Sequence, residues 1–321
     1  MRLLLLLAVT LLAAACLGGE ADAPTSAPEP TATPTPTRTP TPTPTPTLPP
    51  APTPLPSPTA PPSIDLSSSF PQQGGFLLVR FLNSPPGLDE ATVFFAGGSY
   101  PMLPEGDRWY ALIGLGTDFP PGDYAVAVAA PLAMLGSASV SVAPGGFPQE
   151  SLQLSPESAG LLADAAAIEE EKRLLARVYA GFRPERLWSG AWILPAAGPI
   201  TDPFGLQRSI NGGPYSPHTG SDIAAEAGAP VAASASGVVA FAGPLYLRGN
   251  SVIIDHGAGV FSGYHHLEGI AVAEGQAVTM GDLVGYVGAT GFVSGPHLHW
   301  EAIVGGVRVD PTLWTYGPVE P

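Results

Sequence analysis

Histidine is missing from the first two thirds of this chain, and lysine and cysteine each occur once. The single cysteine, Cys16, excludes an intramolecular disulfide. With Lys172 as the only lysine and a formal net charge of −15, the chain lacks the clustered basic surface that nucleic-acid binding needs. Beyond that, the acidity bears on solubility and not on fold. After the first dozen residues no apolar run approaches the ~20 residues of a membrane-spanning helix. Charged residues make up only 12%, while proline and glycine number 40 and 39. That balance, without a collagen period, favours linkers and turn-rich β structure over helical bundles.

The N-terminus reads as an export signal over residues 1–15. Met1-Arg2 is a short basic start, Leu3 to Leu12 an apolar run of signal-peptide length, and Ala13-Ala14-Ala15 a small-residue cleavage site. Cys16 follows at once, and its position resembles a bacterial lipobox, although Ala13 stands where leucine is usual. A lipidated Cys16 would hold the chain on the membrane; plain secretion would cut at the same bond. Either outcome places the protein in the cell envelope or beyond it. Residues 16–62 then form a tether dominated by Thr-Pro repeats such as Thr41-Pro42-Thr43-Pro44. Proline fixes φ and removes backbone donors, so the stretch is expected to be a semi-rigid polyproline II spacer. From Pro24 to Pro62, at about 3.1 Å per residue, it can reach on the order of 120 Å.

Three further segments follow. Residues 63–150 alternate short apolar runs with turns: Phe76 to Phe81, Ala91 to Phe95, Arg108 to Ile113, Tyr124 to Val128 and Ser137 to Val142. The spacing predicts a β-sandwich accessory domain with no metal-ligating cluster. Residues 151–187 carry a linking helix, predicted from about Pro156 to Ala180. Ser155-Pro156 supplies its start, Leu161, Leu162, Ala165, Ile168, Leu175 and Val178 its apolar face, and Gly181 its stop. Glu169-Glu170-Glu171 reads as a solvated face, and the helix is expected between the two β modules. Residues 188–321 are β runs punctuated by glycine, predicting an antiparallel β domain with almost no helix. The fold class is mostly β.

The chemistry lies in that last module. All six histidines, His218, His256, His265, His266, His297 and His299, fall there. His297 and His299 are two apart in a β-prone run, so both project from one strand face. His218 and Asp222 are four apart in a glycine-containing segment that can bend both inward. A catalytic zinc takes three His or carboxylate ligands and keeps a fourth position for water, so His299 can complete such a set. His297 and His266 are then placed to handle protons.

The order of these motifs, His218-x-x-x-Asp222, His266-Leu267 and His297-x-His299, resembles the lysostaphin/LytM-type zinc endopeptidases that cut peptide bonds in peptidoglycan. The resemblance runs from about Trp192 to Pro311. It implies a LytM-like fold and one zinc (Zn2+) per chain, held by His218, Asp222 and His299. It also implies that His266 and His297 polarise water and stabilise the tetrahedral intermediate, and that the substrate is a peptidoglycan peptide. The family has a small residue where this chain has His265; His266 takes the role because it directly precedes Leu267. On a regular strand His265 faces the other way, toward a surface role. His256 is expected to be structural, Glu301 an orienting carboxylate, and Asn211 and Tyr215 to border the cleft mouth.

A second reading of the same fold is a regulator that has lost catalysis and activates other wall hydrolases; intact ligand positions argue against it. A lipoyl- or biotinyl-type carrier would need a modified lysine, which this module lacks.

Overall fold

The computed structural model describes residues 60–66, 71–153 and 160–321, which belong to one compact unit. The export signal, Cys16, nearly all of the Thr-Pro tether, Ser155 and Pro156 lie outside the described residues. The first module contains β1 (Ser63–Asp65), β2 (Phe76–Leu82), β3 (Thr92–Phe95), β4 (Gly98–Pro101), β5 (Leu103–Glu105), β6 (Arg108–Gly114), β7 (Gly122–Ala130) and β8 (Ala133–Val142). They form two four-stranded sheets, ordered β1-β2-β6-β5 and β4-β3-β7-β8. Leu77, Val79 and Phe81 of the first meet Val93, Phe95, Val126 and Val128 of the second in one core. This is the expected sandwich.

Strand β2 is apolar at nearly every position because both of its faces are covered. A strand with one wet face alternates; one buried on both sides does not need to. Leu77, Val79 and Phe81 enter the sandwich, whereas Phe76 and Leu78 join the core of the C-terminal module, together with Tyr110 of β6. At this seam the Phe76 ring stacks on Trp314 at 4.8 Å. Arg186 closes its edge with Glu105 at 2.7 Å and Glu320 at 2.9 Å.

A connecting strand, β9 (Gln149–Leu152), leads towards the second module. That module holds β10 (Ile200–Asp202), β11 (Gln207–Ile210), β12 (Tyr215–Pro217), β13 (Ser221–Ile223), β14 (Pro230–Ala232), β15 (Gly237–Leu245), β16 (Gly249–Gly257) and β17 (Val260–Leu267). Beyond these come β18 (Gly269–Ile270), β19 (Ala277–Val278), β20 (Leu283–Tyr286), β21 (Leu298–Val304) and β22 (Val307–Val309). The large sheet runs β10-β13-β21-β17-β16-β15-β19, with β22 also on β21. Every pairing in it is antiparallel. One pairing departs from the expected antiparallel plan: β9 adds to β11 in parallel, Gln149 beside Gln207 through Leu152 beside Ile210.

Strand β21 lies inside this sheet and is buried along its whole length. Its side chains alternate between two interiors, as the strand period of two requires. Leu298, Trp300, Ala302 and Val304 enter the core shared with the first module. Ile303 enters a smaller cluster on the opposite face, with Leu245, Ile253, Phe261 and Leu175. His299 and Glu301 share the face of Ile303.

The helix spans Ala165–Tyr179, shorter than expected. Its N-cap is Asp164, whose carboxylate accepts the Ala167 N–H at 2.9 Å. That cap breaks the helical run, so Leu161 and Leu162 fall in a separate 3-10 turn. The helix packs through Leu174, Leu175, Val178 and Tyr179 on the outer face of the large sheet, and not between the two modules. A second correction concerns its acidic run. Glu169 and Glu170 are exposed, but Glu171 is buried. No helix among the described residues is long and apolar enough to cross a membrane.

Candidate metal centre and catalytic site

Asp222 sits directly opposite His299 in the pairing of β13 with β21, so both side chains leave the same sheet face. His218 reaches the same point from the turn before β13. The Nδ1 of His299 lies 2.7 Å from Asp222 Oδ1 and 3.0 Å from His218 Nε2, and His218 Nε2 lies 3.1 Å from Asp222 Oδ1. Three donor atoms thus converge, all within 4.8 Å of one another. A tetrahedral zinc with ligands at about 2.0–2.1 Å spaces them roughly 3.4 Å apart, so only a few tenths of an ångström of relaxation would seat one. The donor set, two imidazoles and a carboxylate, is the kind catalytic zinc takes.

The ring orientations are set by what the other nitrogens bond. His218 directs Nδ1 at the Pro203 carbonyl at 3.2 Å, which leaves Nε2 as the atom that could hold a metal. His299 directs Nε2 at Glu301 Oε1 at 3.2 Å, which leaves Nδ1. A histidine whose second nitrogen donates to a carbonyl or carboxylate is the arrangement metal ligands generally adopt. Electrostatics point the same way. Burial alone would raise the Asp222 carboxyl, but hydrogen bonds and charge from His218 and His299 hold it well below the usual carboxylate range. Burial alone would lower His299, yet its bonds to Asp222 and Glu301 raise it. The cluster therefore favours a positive charge at its centre.

His266 and His297 flank this centre. Their rings are 4.9 Å apart, and His266 is 5.8 Å from His299. Each commits Nδ1 to a backbone carbonyl, Thr290 for His266 and Gly295 for His297, both at 2.9 Å, leaving Nε2 free. His297 Nε2 stands 3.7 Å from Asp222 Oδ2. Burial, then the charge of His299, pushes His266 down from its ordinary value, so its ring stays neutral. All five residues, His218, Asp222, His266, His297 and His299, line a cavity of about 410 Å³. Its far walls are Arg208 and Ile210 on one side and Phe292 to Pro296 on the other; Leu152 of β9 also contributes. Neither Asn211 nor Tyr215 lines it.

His265 departs from expectation. It is completely buried, not a surface residue. Between the pairs Asn250–Leu267 and Val252–Tyr264, the single residue Ser251 of β16 faces two of β17, His265 and His266. This is a β-bulge, and His266 adopts the left-handed conformation within it, at φ 62°. The bulge breaks simple alternation, so His265, paired with His299, and His266 both approach the site. His265 bonds Ser251 Oγ through Nδ1 at 2.9 Å and packs behind His299, ring to ring at 5.6 Å.

His256 lies elsewhere, in the core against Trp192, bonded to the Ser236 carbonyl and to Ser262 Oγ, both at 2.8 Å. Burial holds it neutral, with its pKa lowered to about 4 from 6.5. In the unfolded chain it protonates near 6.5, so the stabilisation is complete above that pH and is lost as pH falls from 6.5 to 4. The shift corresponds to about 3 kcal/mol. Urea unfolding of the wild type and His256→Gln across that range should show a flatter pH profile in the variant; identical slopes would refute this.

Thr219 and Arg248 border the cavity and bond Glu301; Thr219 lies between the predicted His218 and Asp222, whereas Arg248 has no sequence signal and is brought there by the tertiary fold. Peptidase family M23 matches residues 216–311, which include all five residues of the centre. The chain is 45% identical over 112 residues to DD-carboxypeptidase/endopeptidase Mpg of Neisseria meningitidis serogroup B, covering 35% of this chain and 26% of that protein. It is 45% identical over 94 residues to peptidoglycan DD-endopeptidase ShyA of Vibrio cholerae serotype O1, covering 29% and 22%. The chain thus spans about a quarter of the length of the curated relatives it matches. A crystal structure from Pseudomonas aeruginosa, assigned to peptidase M23, is 29% identical with a TM-score of 0.57, covering 76% of this chain and 94% of that one.

Proposed function

We propose, from the match of residues 216–311 to peptidase family M23, that this chain is a zinc-dependent endopeptidase hydrolysing peptide bonds in peptidoglycan cross-links or bridges. The observation that carries the reading is the convergence of His218 Nε2, Asp222 Oδ1 and His299 Nδ1 beside two further histidines in one cavity. When bound, zinc polarises the scissile carbonyl and acidifies a water towards neutrality. The protein's own groups do the rest. Asp222 and the two ligand imidazoles hold the centre, and the carbonyls of Thr290 and Gly295 keep the free Nε2 atoms of His266 and His297 available. One accepts the proton of the attacking water; once protonated, it can donate to the developing oxyanion or to the leaving amine. The cavity, at about 410 Å³, is large enough for a short peptide segment.

The similarity to the DD-endopeptidases supports peptidoglycan as the substrate. We further propose that the chain is exported and held at the membrane by a lipid on Cys16, its Pro-rich tether carrying the catalytic module into the wall. Residues 63–150 would act as an accessory module, residues 151–187 as its connection and residues 188–321 as the peptidase.

The test is mass spectrometry of defined peptidoglycan fragments incubated with the purified chain, with chelator, with zinc restored, and with Asp222→Ala. New peptide-bond products should vanish with chelator and with the variant, and return with zinc. A zinc-free chain that cuts nothing yet stimulates another wall hydrolase would overturn the reading.

A further inference from the structure

The sheet face that carries the metal centre continues under the helix. Along β21 that face presents His299, then Glu301, then Ile303, and Ile303 lies beneath Leu175 of the helix. Between the apolar contact and the centre runs a file of buried charge. Glu171 of the helix accepts from Arg248 Nη1 at 2.8 Å and from the Leu247 N–H at 2.6 Å. Arg248 donates through Nη2 to Glu301 Oε1 at 2.7 Å and through Nε to the same oxygen at 3.2 Å. Glu301 Oε1 also accepts from Thr219 at 2.9 Å and faces His299 Nε2 at 3.2 Å. The Glu171 and Glu301 side chains are 3% and 0% exposed.

Glu301 cannot itself be a ligand, because its nearer oxygen is taken by Thr219, Arg248 and His299, and Arg308 closes on both oxygens at 3.3 Å. Removing one member of such a file leaves a buried charge without its partner. The file also reaches the other half of the site. The Arg248 carbonyl accepts the backbone N–H of His266 at 2.8 Å, and the Leu247 carbonyl accepts that of Phe292 at 2.7 Å. The segment that Glu171 grips therefore holds both the bulge bearing His266 and the cavity wall.

We propose that Glu171 and Arg248 are positioning residues of the metal centre. Glu171 clamps Arg248, Arg248 orients Glu301, and Glu301 holds His299 with Nε2 protonated so that Nδ1 meets the metal. The helix Ala165–Tyr179, which precedes the residues matched by the family, is thereby part of the site's scaffold. The proposal rests on the zinc reading above.

The experiment measures zinc affinity of the full chain by competition with a chromophoric chelator, alongside unfolding midpoints of the metal-free protein. Arg248→Gln should bind zinc about 10–100-fold more weakly, as loss of a partner of a metal ligand generally does. Arg248→Lys, which keeps charge without the fork, should recover part of the loss. Glu171→Gln, which can still accept the Leu247 N–H, should lose several-fold, and it carries the test if Arg248→Gln does not fold. Nitrogen NMR of the zinc-loaded protein should show His299 bound through Nδ1 with a protected Nε2–H, and that protection should fall in the variants. Arg173→Gln, on the exposed helix face, should change nothing. Zinc affinity within twofold of wild type in folded Arg248→Gln and Glu171→Gln overturns the proposal alone. A wild-type chain that takes up no zinc overturns the zinc reading and this proposal together.

Discussion

His297→Ala should keep its zinc and lose its catalysis. The side chain is outside the trio proposed to hold zinc: its Nε2 is 3.7 Å from Asp222 Oδ2, and its Nδ1 is occupied by the Gly295 carbonyl. Removing it takes away a proton acceptor at the cavity while leaving His218, Asp222 and His299 in place. Loss of a positioned acid or base generally costs about 10²–10⁴-fold, and the loss should fall on kcat more than on KM. His299→Ala should instead lose metal and turnover together, since Nδ1 is one of the three converging donors. Zinc titration and steady-state kinetics on both variants separate the two roles. A His297→Ala protein with near wild-type kcat would remove His297 from the mechanism; one that sheds its zinc would make it a ligand.

Trp314→Ala should produce the largest loss of stability. Trp314 is fully buried, stacked on Trp192 at 4.6 Å and Phe76 at 4.8 Å, with Trp188 edge-on at 5.7 Å. Phe76 comes from the first module and Trp188 and Trp192 from the segment entering the second, so one side chain fills the seam. Truncating a buried tryptophan costs about 3–5 kcal/mol. At about 2–4 °C per kcal/mol for a unit of this size, the midpoint should drop by roughly 10 °C. Trp314→Phe should restore most of it, because the indole Nε1 has no hydrogen-bond partner among the described residues. The shared core also predicts a single unfolding transition. Calorimetry showing two transitions, with only one shifted by Trp314→Ala, would mean that the seam contributes little. The metal centre lies on the other face of the sheet, so zinc affinity per folded molecule should be unchanged.

Much of this site was legible because its chemistry is locally encoded. His297 and His299 share a face because a strand repeats every two residues, and His218 and Asp222 come together within one short turn. The sandwich was legible from apolar runs separated by turns. The helix was legible in its sequence position but not in its packing or its extent, the latter because Asp164 offers a cap inside the apolar pattern.

His265 shows where such reading stops. Alternation sends it away from His266, but an extra residue in β17 opposite Ser251 turns both towards the centre, and that mismatch exists only once two strands are paired. Glu171 shows the same from the other side. Three consecutive glutamates on a helix look solvated until the turn between β15 and β16 supplies a guanidinium for one of them.

The sequence by itself determined the donor types, their local spacing and the β character of both modules, since these depend on side-chain chemistry and neighbouring residues. Tertiary structure decided which face of β21 holds the site, that the helix stands behind it and that β2 serves two cores. Those outcomes come from pairing between residues dozens to hundreds of positions apart, and no local period records which distant surface a side chain will meet.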